Sequence, residues 1–315
     1  MTSAPILAAA SVALAAVLAA GDATAAPVAY RNVTIDGLNI AYREAGRSDQ
    51  PAILLLHGVP SSSRMYDGLM RKLGDRYHLI APDYPGFGNS GAPAPADFAY
   101  TFDHLSQVMQ KFTDAVGLQR YTLFMQDYGA PVGMRMAVDR PAAIQATIFQ
   151  NGNVYEEGLG AMWAKRRPFW ADRAAHEAEV RAAHLALPGI RARHIGTDPN
   201  VEAYDPDLWM DEYAFLNRPG EGAIQTELIY DYQHNLAAYP RWQQWLKGQQ
   251  LPALVLWGKY DPAFIVPGAA AFRRDLPKAQ VEVLDAGHFA MDTKLDDIAR
   301  LTDAFMQKNQ GGAVK

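Results

Sequence analysis

The sequence predicts a doubly wound α/β fold with a mostly parallel sheet and an inserted helical cap. Three observations carry this expectation. Short apolar runs recur, and each stops at a Gly, Pro, Asp or Asn cluster. Helix-period stretches alternate with those runs. The alternation then fails over about 156–240, where helical patterning continues without a convincing strand, and resumes at 253. Alternation of strand and helix is the pattern of a sheet covered on both faces, and continuous apolar runs suit strands buried on both sides.

Taken in order, 28–35 and 38–43 alternate in polarity and are joined by Asp36-Gly37, a hairpin signal. Runs at 53–56, 78–81, 121–125 and 146–149 read as core strands, ending at His57-Gly58, Pro82-Asp83, Gln126-Asp127 and Asn151-Gly152-Asn153. Two more follow the cap, at 253–257 and 281–284, ending at Gly258 and at Asp285-Ala286-Gly287. Helices are expected over 62–73, 102–116, 130–138 and 295–306, and within the cap over 173–187 and 223–238. The expected organisation is a core of 27–155 with 241–308, a cap of 156–240 after the sixth strand, and a frayed tail at 309–315. Ligands of such sheets sit beyond the carboxyl ends of the strands, and every residue singled out below for chemistry on the core follows a strand.

Composition narrows the function. The 315 residues are 49% apolar and 20% charged, ordinary values for a globular chain, and the net charge of −5 with no basic run offers nothing to a nucleic acid. There is no cysteine, so disulfides, thiolate metal sites and a cysteine nucleophile are excluded. The eight histidines show no H-x-x-x-H spacing, and neither a metal nor a cofactor is expected. Residues 6–20 are uncharged and apolar but for one serine, and Ala23-Thr24-Ala25 precedes Ala26. Residues 1–26 therefore read as a signal peptide, although its first part lacks Lys and Arg, and a periplasmic or secreted protein is expected. The run is shorter than the roughly 20 residues that span a bilayer, so no stable membrane span is expected. The oligomeric state is not legible.

The most informative position is 127. Leu123-Phe124-Met125-Gln126-Asp127-Tyr128-Gly129-Ala130 has the strand–turn–helix context of a nucleophile elbow, with aspartate where serine is usual. A carboxylate is a weak nucleophile, suited mainly to alkyl carbon that bears a leaving group. The same residue could instead be an ordinary turn or N-cap aspartate.

Other motifs bear on that choice: His57-Gly58-Val59-Pro60, Asp83-Tyr84-Pro85-Gly86-Phe87-Gly88-Asn89-Ser90, Trp257-Gly258-Lys259-Tyr260-Asp261-Pro262 and Gly287-His288-Phe289. In this order, over about 39–307, the chain resembles the α/β-hydrolase fold, and within it the aspartate-nucleophile branch of epoxide hydrolases and haloalkane dehalogenases. The resemblance implies that Asp127 attacks carbon to give an alkyl ester, and that His288 activates the water that hydrolyses it. Asp261 would orient the imidazole. Asn151 stands where some dehalogenases carry that acid as glutamate, but its amide is neutral, and Glu156 and Glu157 are less suited. The amides of Val59 and Tyr128 would hold the oxyanion. His57 and the loop from Asp83 to Ser90 are read as structural.

The leaving group separates the two activities. An epoxide oxygen needs an acid, which cap tyrosines supply in epoxide hydrolases; a halide needs N–H donors. Tyr128 in place of tryptophan beside the nucleophile, and Val59 in place of Asn or Glu, depart from the dehalogenase pattern. Tyr232, in Leu228-Ile229-Tyr230-Asp231-Tyr232-Gln233-His234-Asn235, is the candidate acid or else a packing tyrosine. A second cap tyrosine is not evident. Trp170 could donate to an oxygen or a halide, or simply pack. Trp163, Phe169, Trp170, Trp209 and Tyr230 are expected to roof an apolar pocket for a small hydrophobic substrate and water. The expectation is therefore an epoxide hydrolase, with a haloalkane dehalogenase as the alternative and a non-catalytic ligand binder behind both.

Overall fold

A computed structural model describes residues 26–310. The leader expected over 1–26 thus lies, except for Ala26, outside the described residues, as does most of the expected tail. Strand β1 (Val28–Ile35) and β2 (Leu38–Ala45) form the hairpin, followed by β3 (Ala52–Leu56), α1 (Asp67–Leu73), β4 (His78–Pro82), α2 (Phe102–Ala115), β5 (Tyr121–Gln126), α3 (Gly129–Asp139) and β6 (Ile144–Gln150). The cap holds α4 (Arg167–Ala171), α5 (Arg173–Leu185), α6 (Leu187–Ile195), α7 (Asp207–Leu216), α8 (Glu221–Asp231) and α9 (Gln233–Gln249). The core closes with β7 (Ala253–Gly258), α10 (Val266–Asp275), β8 (Gln280–Leu284) and α11 (Met291–Gln310). Among the described residues no helix is long and apolar enough to cross a membrane.

The eight strands lie in the order β1-β2-β4-β3-β5-β6-β7-β8. The hairpin and the β2–β4 pair are antiparallel, and the remaining pairs are parallel. Strand periodicity sorts alternate side chains onto opposite faces. On β3, Leu54 and Leu56 join the cluster that holds Phe102, Val132 and Phe272, whereas Ile53 and Leu55 join Leu69, Met70 and Ile298 on the other side. Helices α2, α3 and α10 therefore cover one face, and α1 and α11 the other, so the strands between them must be apolar throughout.

Three features differ from the expectation. Helix α10 was not legible, because Pro267 and Gly268 near its start interrupt the helical pattern. The helix expected over 223–238 is two helices, α8 and α9, with Tyr232 at the junction. The second of them runs through Pro240 to Gln249, so the helical region continues beyond position 240. Leu228, Tyr232, Tyr239 and Trp242 belong to the same apolar cluster as α3, while Ile190, Ile195, Tyr204, Trp209 and Leu216 form a cluster of the cap's own. The cap is thus anchored through α8 and α9 and roofs the strand ends through its earlier part.

Candidate active site

Asp127 follows β5 with φ of +47°, in the left-handed region that a side chain with a Cβ rarely adopts. Such a conformation costs on the order of 1–3 kcal/mol and persists only where its surroundings impose it. Two glycines make room for it. A Cβ at Gly129 would collide with the carbonyl of Leu56, and one at Gly58 would collide with the side chains of Gln126 and Asp127. The aspartate is consequently presented at the base of a cavity rather than to solvent, and its side chain is 7% exposed.

Three loops converge on it. The Val59 N–H donates to Asp127 Oδ1 at 2.8 Å. The other carboxylate oxygen, Oδ2, is 3.5 Å from Nε2 of His288. The opposite ring nitrogen, Nδ1, is 2.7 Å from Oδ2 of Asp261. Asp261 is itself held tightly: its Oδ1 accepts from the N–H groups of Ala263 and Phe264, and Oδ2 also accepts from Asn151 Nδ2 at 2.7 Å. The geometry therefore fixes the proton on Nδ1 and leaves Nε2 facing the nucleophile. Burial alone would lower the His288 pKa, but Asp261 and then Asp127 outweigh it and raise the value to about 10. The two carboxylates thus bias the imidazole toward its protonated form.

Two neighbours of this triad were not anticipated. Gln126 Nε2 lies 3.1 Å from His288 Nε2, an amide donor suited to the neutral ring. Asn151, with φ of +45°, accepts the Gly258 N–H on Oδ1 while its amide nitrogen holds Asp261. Neutrality disqualifies Asn151 as the acid but suits it to hold one. His57 is buried and stacked on Tyr84 at 4.2 Å, its Nδ1–H given to Gly58 O and its Nε2 accepting from the Tyr84 N–H, a framework role.

The cavity above Asp127, about 60 Å³, is lined by Val59, Tyr128, Met162, Trp163, Arg166, His184, Arg193, Ile229, Tyr232, Asp261, Pro262, Ala263 and His288. A water needs roughly 10–15 Å³ on this measure, so the space suits a ligand of a few heavy atoms. Tyr232 is 2% exposed, and its hydroxyl lies beside that of Tyr239 without a well-formed hydrogen bond between them. Burial, with Tyr239 and Asp127 adding to it, holds its pKa well above the usual phenol range, so the proton stays on. Tyr239 is buried close behind, its hydroxyl accepting from Asn153 Nδ2 at 3.2 Å.

The roof differs from the expectation. Only Trp163 of the expected aromatic set lines the cavity. Trp170 donates its indole N–H to Ile229 O at 2.9 Å, Tyr230 packs edge-on against Phe169 and under Arg173, and Trp209 stacks within the cap's own cluster. Trp170 and Tyr230 are therefore corrected to packing residues: their helices turn them into the cap interior. In their place Arg166, His184 and Arg193 reach the cavity. Separated in sequence and carrying no motif, they gave no local signal. Among the described residues no cluster of His, Cys, Asp or Glu could hold a metal ion.

Residues 51–295 match the family model described as alpha/beta hydrolase fold. An uncharacterised hydrolase of Saccharomyces cerevisiae is 38% identical over 269 residues, covering 84% of this chain and 92% of the relative. Haloalkane dehalogenase 2 of Mycobacterium tuberculosis is 28% identical over 267 residues, covering 79% and 85% respectively. A solved structure titled as epoxide hydrolase CorEH superimposes with a TM-score of 0.70 at 14% identity, covering 90% of this chain and 99% of that one, a likeness of fold.

Proposed function

We propose an activity from one premise: the chain belongs to the alpha/beta hydrolase fold family. Its relatives are named as haloalkane dehalogenases and epoxide hydrolases. Within that range we read it as an epoxide hydrolase. Asp127 Oδ2 attacks an epoxide carbon, the C–O bond breaks, and the oxygen takes a proton from Tyr232, leaving a hydroxyalkyl ester on Asp127. Alkylation removes one of the two carboxylates that hold the extra proton on His288, so its pKa falls; that proton returns to the Tyr232 phenolate, and the neutral ring then accepts a proton from water. That water attacks the ester carbonyl, the amides of Val59 and Tyr128 receive the oxyanion, and the diol departs.

One observation carries the preference for an epoxide. The Tyr232 hydroxyl is buried and protonated, lies beside that of Tyr239 without a well-formed hydrogen bond, and belongs to a residue lining the cavity, while the indoles of Trp163 and Trp170 are committed to Ala263 O and Ile229 O. An acid is available for an alkoxide, and the one indole lining the cavity among the described residues, Trp163, has no N–H left for a halide. The dehalogenase reading retains the support of the Mycobacterium tuberculosis relative's name. Incubation with styrene oxide and with a bromoalkane separates them: diol is expected, and halide release without diol would reverse the assignment. The leader further suggests export, which N-terminal sequencing of the mature protein tests; an intact residue 1 would refute cleavage.

A further inference from the structure

The cavity holds two cations that the reaction above does not use. Arg166 opens α4 and Arg193 lies near the end of α6, yet both line the cavity with Asp127 and His288. The Arg166 side chain makes no hydrogen bond or ion pair among the described residues, and no carboxylate contributes to its electrostatic surroundings. Arg193 donates to Nδ1 of His184 at 2.7 Å, and its Nη1 is buried without a partner. Glu212 and Asp127 are the carboxylates Arg193 senses, but Glu212 is committed to His194 at 2.8 Å, and Asp127 to the Val59 N–H and His288.

Both side chains are half-buried, and a guanidinium partly withdrawn from water without a carboxylate is costly, since arginine does not escape the cost by losing its proton. Burial pushes both pKa values down, and Arg166 adds to the effect at Arg193. Pairing in the cavity is unbalanced as well. Asp127 and Asp261 both face His288, so neither carboxylate of the lining is left for the two arginines. An anion would supply the missing partner. His184 cannot supply a negative charge; its Nδ1 accepts from Arg193, and burial holds it neutral.

Access points the same way. An outer cavity of about 260 Å³ shares Met162, Arg166, Arg193 and Pro262 with the inner one, so the arginines stand where the two meet. Lys165 and the exposed Glu179 line only the outer side. A positively charged neck with apolar walls concentrates anions.

We infer that Arg166 and Arg193 form a carboxylate-binding subsite, and that the substrate is a small carboxylic acid whose reactive carbon is thereby held over Asp127. Guanidinium groups match carboxylate geometry through paired N–H donors, and the inner space admits only a few atoms beyond the reacting centre. The inference deepens the epoxide reading, for which an oxirane carboxylate is the matching class: epoxide and water give the diol, and the carboxylate is unchanged.

Binding tests the subsite without turnover. Propionate and propionamide, equal in size and different in charge, are titrated into the full-length protein by NMR line broadening. Propionate is expected to bind at least tenfold more tightly, with the preference falling below threefold in Arg166→Met and Arg193→Met and retained in part by Arg193→Lys. Equal binding of the two probes to the native protein overturns the subsite, even if a variant fails to fold. So does propionate binding that survives both substitutions, or bromide binding as tightly as propionate, which would make the pair a leaving-halide site. Turnover of glycidate against glycidamide then reads selectivity. If neither reacts while propionate binding behaves as expected, the subsite stands and the epoxide reading falls.

Discussion

The amide nitrogen of Asn151 lies 2.7 Å from Oδ2 of Asp261, the same oxygen that meets His288 Nδ1 at 2.7 Å. One carboxylate oxygen thus couples β6 to the loop after β7 and to the histidine loop after β8. Because Asn151 also accepts the Gly258 N–H, its removal loosens the turn that carries the acid. Asn151→Ala is expected to destabilise the protein by about 1.5–3 kcal/mol, as loss of a hydrogen bond to a charged group does, and to lower kcat with little change in KM. Urea unfolding and steady-state kinetics check both. Asn151→Asp should be worse in activity, since it sets a second carboxylate against Asp261.

His288→Gln should arrest the reaction at the ester. The His288 imidazole is the base that faces the Asp127 carboxylate, so alkylation proceeds and hydrolysis does not. Intact-protein mass spectrometry after incubation with an epoxide should show an adduct of the full epoxide mass, mapping to the peptide that contains Asp127. An alkyl halide would add the alkyl group alone. No adduct with either electrophile would favour a binding protein over an enzyme. Asp261→Asn should cut kcat by about 10⁴-fold, the scale on which a triad loses its orienting acid.

Tyr232→Phe separates chemistry from packing. Only the Tyr239 hydroxyl lies beside that of Tyr232, and it keeps its bond from Asn153, so the substitution leaves no group without a partner and stability should change little. Epoxide opening, by contrast, should slow by about 10²–10⁴-fold, the usual contribution of a positioned acid. Thermal melting and diol assays decide. Equal loss in stability and activity would demote Tyr232 to a packing residue.

The pH dependence follows from His288. Its folded pKa, about 10, exceeds the ordinary value of 6.5. A group whose pKa is raised by folding stabilises the fold fully below the unfolded pKa and loses that contribution as pH climbs through the folded one. Stability should therefore decline between about pH 6.5 and pH 10. His194, raised to about 9 because Glu212 and Asp292 outweigh its burial, contributes a similar decline. Asp127→Asn removes one of the carboxylates acting on His288 and should flatten the first contribution only. Urea denaturation across this range, in native protein, Asp127→Asn and His194→Gln, resolves the two. A pH-independent stability in the native protein would contradict both.

Much of this protein was legible along the chain because its signals are local. Apolar runs of four to six residues ending in Gly, Asp or Asn identify strands buried on both faces, and the elbow around Asp127 is written in consecutive residues. Asp127, Asp261 and His288 each follow a strand, so a parallel sheet brings their loops to one edge once the strand order is right. The cap was legible only as helical. Which aromatic rings face the cavity depends on how α4 and α5–α9 pack, and that turned Trp170 and Tyr230 inward while admitting Arg166 and Arg193. The break at Tyr232 is likewise a packing outcome, because nothing in 223–238 resists a continuous helix. Residue type and short-range order thus sufficed to establish the alternating architecture and the reactive carboxylate. The electrostatic character of the cavity could emerge only in three dimensions, since charge balance depends on distances between residues that no sequence spacing relates.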